Sequence, residues 1–402
     1  MHDRQAPHRS LKLWQKPIAG MAGRINTGSL TLRFPHGRSA RVCGSRQGPE
    51  AEISLKNPRP LFRLLSEGDL GFARSYIDGD WDTPDLGAVI DLAIANEEEL
   101  SRTLSSSYLF TRVSRLRHRL RANTKTGSKR NIAFHYDLGN AFYKLWLDET
   151  MTYSSALYEG RERSLPEAQT AKYDRILACL QVGPQDRILE IGCGWGGFAE
   201  HAARTTGCHV TGLTLSAEQA KFARERLAEK GLAAQTDIRL EDYRDCRGTF
   251  DKIVSIEMFE AVGEENWPVF FETVNRRLTP GGTAVIQSIA IEHHRLDDYR
   301  NNPDFIQHFI FPGGMLPSIE TFRKGASSAG LAVKDLFSFG NDYARTLLEW
   351  EKRFLSEWEA IHPLGFDERF RRMWRYYLNY CASGFSAGRI DVAQFHLMKP
   401  AV

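Results

Sequence analysis

The stretch Arg187-Ile188-Leu189-Glu190-Ile191-Gly192-Cys193-Gly194-Trp195-Gly196-Gly197 decides the fold. Its first five residues are largely apolar and β-branched, which reads as a buried strand. Four glycines in six residues, 192–197, then turn the chain into a helix. Gly192, Gly194 and Gly197 satisfy the G-x-G-x-x-G spacing of nucleotide-binding loops. A dinucleotide site also asks for an acid at the end of the next strand, to bind a ribose hydroxyl. That strand, Val210-Thr211-Gly212-Leu213-Thr214, runs into Leu215-Ser216 with no acid. Glu190 stands instead just before the first glycine. An acid there suits a ligand with a cationic head and no pyrophosphate, so the loop favours S-adenosylmethionine (SAM) over NAD. Glycines let such a ligand lie against the backbone, and the helix start supplies N–H groups.

Working outward, strands and helices alternate. Ser164-Leu165-Pro166-Glu167 is a capping box opening a helix to about Leu180. Ala217–Lys230 reads as a second helix, with Ser216 and Gln219 in capping positions. Asp251–Ile256 is a third strand, and the turn Thr279-Pro280-Gly281-Gly282 leads into a fourth, Thr283–Ile289. The expected fold is α/β: a Rossmann-like, doubly wound parallel sheet. N-terminal to it, residues 28–55 read as short strands and residues 61–97 as helices, giving a small α+β domain over 25–110. Residues 1–24 are polar and basic and read as a flexible N-terminus. Residues 131–402 form the catalytic domain.

Residues 111–130 carry eight Lys or Arg and no acid. Val113, Leu116 and Leu120 share a helical face, so the segment reads as a basic amphipathic helix and linker. Either it is a solvated hinge or it is drawn to an anionic membrane surface, at about 1 kcal/mol per basic residue. Nucleic acid is disfavoured because no aromatics interleave with the charges.

The chain has 402 residues and a net charge of +3, too weak to name a partner. With 42% hydrophobic and 26% charged residues it has ordinary globular composition. No run of about 18 apolar residues suggests a membrane span, and the N-terminus lacks a secretory signal. Six cysteines show no C-x-x-C spacing, which fits a reducing cytosol and leaves no zinc motif; no metal is expected. His293 and His294, near Asp297 and Asp298, read as a solvated loop rather than a metal site.

Several blocks resemble the cyclopropane-fatty-acyl-phospholipid synthase family. They are the glycine loop, Gly212-Leu213-Thr214-Leu215-Ser216-x-x-Gln219, Met258-Phe259-Glu260-x-Val262-Gly263, Tyr136-Asp137-Leu138-Gly139-Asn140 and Met151-Thr152-Tyr153-Ser154. Further along come Phe309 to Ser318, Asp342-Tyr343-x-Arg345-Thr346-Leu347 and Tyr376 to Cys381, while Tyr76 to Trp81 matches the small N-terminal domain. The resemblance implies transfer of the SAM methyl to the double bond of an acyl chain in a membrane phospholipid. It implies a cytoplasmic enzyme, peripheral on the inner face of the membrane, with a homodimer as one possible assembly.

For SAM the resemblance implies Tyr153, Ser154, Glu190, Gly192, Cys193, Gly194, Thr214, Leu215, Ser216, Gln219 and Tyr243. It also implies a bicarbonate ion as general base, held by a glutamate (Glu260), an isoleucine backbone group (Ile289), a tyrosine (Tyr343), a cysteine and a histidine. This sequence departs at the last two, with Ser155 and Gln287. Cys381 matches a cysteine labelled as nucleophile in the family, a role that attack by an alkene does not need.

The chemistry needs a dry site, because water would trap the cation left when an alkene takes a methyl. Aromatic faces stabilise such a cation by roughly 0.5–2 kcal/mol each; candidates are Tyr299, Phe305, Phe309, Phe311, Tyr343, Trp350 and Tyr376. Where the base stands decides between a cyclopropane, a methylene branch (or a furan fatty acid precursor) and, after reduction, a methyl branch. Gln287 cannot titrate, so the two departures hint at an altered product or substrate. Two other classes remain: a methyltransferase for a soluble small molecule, and a non-catalytic lipid-binding relative.

Overall fold

The computed structural model describes residues 15–104 and 138–401. The basic segment 111–130 and the Tyr136-Asp137 pair lie outside the described residues. Two sheets organise the rest. The first has the order β2-β1-β3-β4, built from β1 (Thr27–Phe34), β2 (Arg38–Cys43), β3 (Arg46–Leu55) and β4 (Trp81–Asp82). Helices Arg59–Ile77 and Leu86–Ala95 pack with it. The expectation of a flexible N-terminus fails for Gln15–Ala22, which is a helix. Ala19 and Ala22 are buried in the same core, and their burial offsets the entropy of ordering the segment.

The second sheet has the order β10-β11-β9-β8-β5-β6-β7. Its strands are β5 (Arg187–Ile191), β6 (His209–Thr214), β7 (Thr236–Leu240), β8 (Phe250–Ile256), β9 (Leu278–Ile291), β10 (Ala332–Ser338) and β11 (Ile390–Met398). Strands β5 to β9 are parallel, as expected. Sequence reading missed β7 and the two strands that close the other side, β10 and β11. β11 runs antiparallel to β9, and β10 antiparallel to β11. The expected turn at Thr279–Gly282 is an irregularity inside β9, whose register against β8 shifts there.

The helix Leu165–Leu180 starts with the anticipated capping box, the Ser164 backbone N–H donating to Glu167 at 2.8 Å. Order reversal in such a sheet opens a crevice at the C-terminal strand ends, here the ends of β5, β6 and β8.

Arginines of the long helix Glu368–Ser386 join the two sheets. Buried Arg372 donates to the carbonyl oxygens of Tyr76 and Trp81 and stacks over the Tyr76 ring at 4.0 Å. Arg375 donates to the Tyr76 hydroxyl at 3.3 Å. The Tyr76–Trp81 turn is thus a docking element, and both Tyr76 and Trp81 are fully buried.

Candidate active site

Two cavities meet behind the strand ends. A cleft of about 150 Å³ lies over the glycine loop, and a larger cavity of about 1150 Å³ reaches the first sheet. Tyr153, Glu257 and Ala261 border both.

The cleft collects almost every residue assigned to SAM. Tyr153, Ser154, Glu190, Gly192, Cys193, Gly194, Thr214, Leu215, Gln219 and Tyr243 all line it. Ser216 does not; its hydroxyl accepts from the Gln219 N–H and caps the helix Ala217–Glu229. The Gln219 side chain does not complete a capping box but accepts from the Thr214 hydroxyl at 2.8 Å.

Gly192 has φ +87°, a left-handed turn that favours glycine. A Cβ at Gly197 would meet the Thr150 carbonyl oxygen at 2.9 Å, so the helix can start that close only without a side chain.

The donor set fits SAM. Glu190 Oε2 and the Tyr243 hydroxyl are buried without a hydrogen-bond partner among the described residues, and orphaned buried polar groups are costly unless a ligand completes them. Burial pushes the Glu190 carboxyl up to about 8, with the Lys172 charge opposing the shift. Buried Lys172 is brought down to about 7 by burial, against the pull of Glu257, Asp148 and Glu190. Its ammonium donates to the Ser154 hydroxyl at 2.6 Å and to Gln169 Oε1 at 2.7 Å. Gln169 in turn donates to the Ser154 carbonyl at 2.9 Å. The Tyr153-Ser154-Ser155 segment is therefore fixed from below by two helical side chains.

At the junction, the groups expected to surround a bicarbonate surround a carboxylate of the chain itself. Glu257 Oε1 accepts from the Ser155 backbone N–H at 2.9 Å and from Gln287 Nε2 at 2.8 Å. Its Oε2 accepts from the Tyr343 hydroxyl at 2.6 Å. The Ser155 hydroxyl is turned away, donating to the Ala156 carbonyl. The donors predicted for bicarbonate are engaged, so the residues present do not fit that ion.

Glu257 was missed in the sequence. It takes φ +50°, a conformation unusual for a residue with a side chain and a mark of functional sites. Burial raises its carboxyl; the Tyr343, Ser155 and Gln287 hydrogen bonds and the Lys172 charge oppose this.

Glu260, the expected ligand, has Oε1 held by the Ile289 backbone N–H and the Ser288 hydroxyl. Its Oε2 has no partner among the described residues, and it lines the large cavity. Burial, with the neighbouring Glu257 charge, pushes it up to about 8. Glu260 therefore holds a proton near neutral pH, while three donors favour the ionised form of Glu257.

The large cavity is mostly apolar. Of the aromatic candidates, Tyr299, Phe311, Tyr343 and Tyr376 line it, whereas Phe305, Phe309 and Trp350 do not. Tyr377 and Tyr380 line it too and were not anticipated. Trp350 packs against the Tyr153 ring at 5.2 Å. Cys381 lines the cavity with its thiol pushed well above the usual range by burial; a neutral thiol is a poor nucleophile. The first sheet contributes Leu32, Ile53 and Leu55 to the same wall.

His293 donates to or accepts from the Ser318 hydroxyl at 2.8 Å. No group of three His, Cys, Asp or Glu among the described residues is placed to hold a metal ion. No helix among them is long and apolar enough to cross a membrane.

Known proteins are similar to this chain in sequence and fold. The family model described as mycolic acid cyclopropane synthetase matches residues 123–395. Tuberculostearic acid methyltransferase UfaA1 of Mycobacterium tuberculosis is 38% identical over 98% of this chain and 94% of its own length. The cyclopropane-fatty-acyl-phospholipid synthase of Escherichia coli is 38% identical over 86% of this chain and 87% of its own. The mycolic acid cyclopropane synthase CmaA1, solved with SAH and CTAB, superposes with a TM-score of 0.63 at 33% identity, over 67% of this chain and 98% of that one. The chain belongs to the mycolic acid cyclopropane synthetase family: it is a SAM-dependent methyltransferase with the class I Rossmann-like fold, and its relatives modify unsaturated lipid chains.

Proposed function

We propose that this enzyme methylates the double bond of an unsaturated phospholipid acyl chain and that Glu257 is the internal base completing the reaction. The observation that carries this is the position of Glu257, the carboxylate bordering both the SAM cleft and the acyl-sized cavity. SAM supplies an electrophilic methyl. Tyr153 and Ser154 position it, and the cavity's aromatic wall excludes water while the acyl chain is cationic.

In the acyl chain, one alkene carbon bonds the methyl as the sulfur–carbon bond breaks, leaving the cation on the other carbon. Loss of a proton from the new methyl at that stage closes a cyclopropane. If a hydride first shifts between the two carbons, loss of the same proton gives a methylene branch. Glu257 Oε takes the proton in either case. A carboxylate anchored on the chain and held by three donors cannot follow the methyl as a free anion can. We favour the methylene-branched product, the precursor from which a separate reduction makes a methyl branch; the name of the relative that spans 98% of this chain agrees with that. The lipid is reached at the membrane surface, with residues 111–130 as the electrostatic contact.

The test uses methyl-labelled SAM and vesicles of dioleoyl phosphatidylethanolamine with dioleoyl phosphatidylglycerol. Released fatty acids are analysed before and after mild hydrogenation, with and without bicarbonate. Labelled product that is reduced to a methyl branch, formed equally without bicarbonate, is expected. Product that resists hydrogenation means a cyclopropane, and dependence on bicarbonate removes Glu257 from the role of base. A further reading, a soluble small molecule as acceptor, requires methyl transfer indifferent to vesicles.

A further inference from the structure

Gln287 faces Glu257 with an amide, and an amide has two ends. Its N–H favours an ionised carboxylate; its oxygen would repel one. Gln287 has no exposed surface, so no bulk water arbitrates. The choice is made across the sheet. Gln394 of β11 is the register partner of Gln287 on β9. It is likewise buried, and its Nε2 donates to Gln287 Oε1 at 3.0 Å.

Gln394 carries the same ambiguity, and its other end resolves it. Arg175 Nη1, from the helix Leu165–Leu180, donates to Gln394 Oε1 at 2.8 Å. A guanidinium can only donate. Arg175 is itself fixed, stacked over the Phe337 ring at 3.9 Å and 3.5 Å from Asp335. Each link therefore has one allowed direction: Arg175 to Gln394, Gln394 to Gln287, Gln287 to Glu257.

We propose that Gln394 and Arg175 are positioning residues for the methyltransfer reaction, setting through Gln287 a donor that favours the ionised form of Glu257. This rests on the reading of Glu257 as base. The charged and titratable groups around Glu257 are Tyr343, Lys172 and Glu260, and none of them touches Gln394 or Arg175 in the hydrogen bonds described.

Gln394→Glu tests it with almost no change of shape. The new carboxylate, beside Arg175, accepts at both oxygens. Gln287 must then turn its N–H toward β11 and its oxygen toward Glu257. On the vesicles above, kcat is expected to fall about a hundred-fold, the loss of one donor and the gain of one repulsion to a buried charge. The acidic limb of kcat moves to higher pH, while KM for the vesicles and Kd for SAM stay near wild type.

Gln394→Met, which only removes the amide, is expected to cost about ten-fold. Arg175→Met behaves like Gln394→Met, and Arg175→Lys restores most of the rate. The proposal is overturned if Gln394→Glu is no worse than Gln394→Met, or if kcat falls with no movement of the acidic limb. Should a variant fold poorly, the ratio of Arg175→Lys to Arg175→Met at equal melting temperature decides alone, and equal rates overturn the proposal. Full turnover by Glu257→Gln would overturn the base assignment instead, whatever the Gln394 variants do.

Discussion

The Tyr343 hydroxyl donates to Glu257 Oε2 at 2.6 Å, joining the helix Gly340–Ser356 to the residue that follows β8. The bond stabilises the ionised form of Glu257 and so lowers a proton affinity that burial has raised. Tyr343→Phe removes it. Glu257 then ionises only at higher pH, and the acidic limb of kcat should move up by about one unit, the equivalent of about 1.4 kcal/mol. A pH–rate profile of the variant against wild type checks the direction; a downward shift contradicts it.

Glu257→Gly should separate stability from function. It removes a buried carboxylate and relieves a left-handed backbone, φ +50°, that costs a side-chain-bearing residue roughly 1–2 kcal/mol. Three donors lose their acceptor, which offsets that relief, so the melting temperature should stay near wild type while turnover falls at least about a hundred-fold. Added bicarbonate should restore part of the activity by occupying the vacated donors, and should leave wild type unaffected.

Glu190 couples SAM binding to protons. Its carboxyl sits at about 8 without ligand, so it is mostly protonated at neutral pH. A cationic ligand draws it into the ionised form and releases a proton. SAM affinity should therefore rise with pH up to about 8, because the free protein binds more protons than the complex. Calorimetry in buffers of different ionisation enthalpy reads the released proton; Glu190→Gln should bind more weakly and lose that component.

Glu260 predicts a stability slope. Its folded-state proton affinity, about 8, exceeds that of an unfolded glutamate. The stabilisation is fully present below the unfolded value and is lost as pH rises through about 8. The melting temperature of wild type should fall between about pH 5 and about pH 8, and that of Glu260→Gln should fall less.

Arg372→Ala should loosen the two sheets from each other. It removes the Arg372 donors from the Tyr76 and Trp81 carbonyls, of which Tyr76 keeps the Gly79 N–H at 2.9 Å, at a cost of about 1–2 kcal/mol. KM for vesicles should rise while Kd for SAM holds, since the glycine loop lies in the second sheet.

Local chemistry was legible in the sequence, and compensation was not. Glycine spacing and the apolar run before it placed the cleft, because both act within a few residues. β7 and β10 were invisible because they are edge strands with mixed burial and no alternation. Glu257 was hidden by the resemblance, which pointed three residues on to Glu260. The departures at Ser155 and Gln287 were visible, but not the change that answers them. A signal did exist: Ile253 to Ser255 is a buried run, and an acid just beyond its end needs partners. Two neutral residues standing where an anion's ligands were expected are the match to that acid. The direction of the Arg175 chain required three elements to be brought together in space.

The cavity wall is drawn from both sheets, with Leu32, Ile53 and Leu55 on one and Glu257 at the junction with the cleft. Under the proposed function, methyl delivery happens at one fixed point, and the carbon that receives it is chosen by how far the acyl chain can slide past that point. The first sheet would then be a ruler for double-bond position, and the second a tool that acts wherever the ruler stops. Exchanging residues 25–104 between relatives should move the branch along the chain without altering its chemistry.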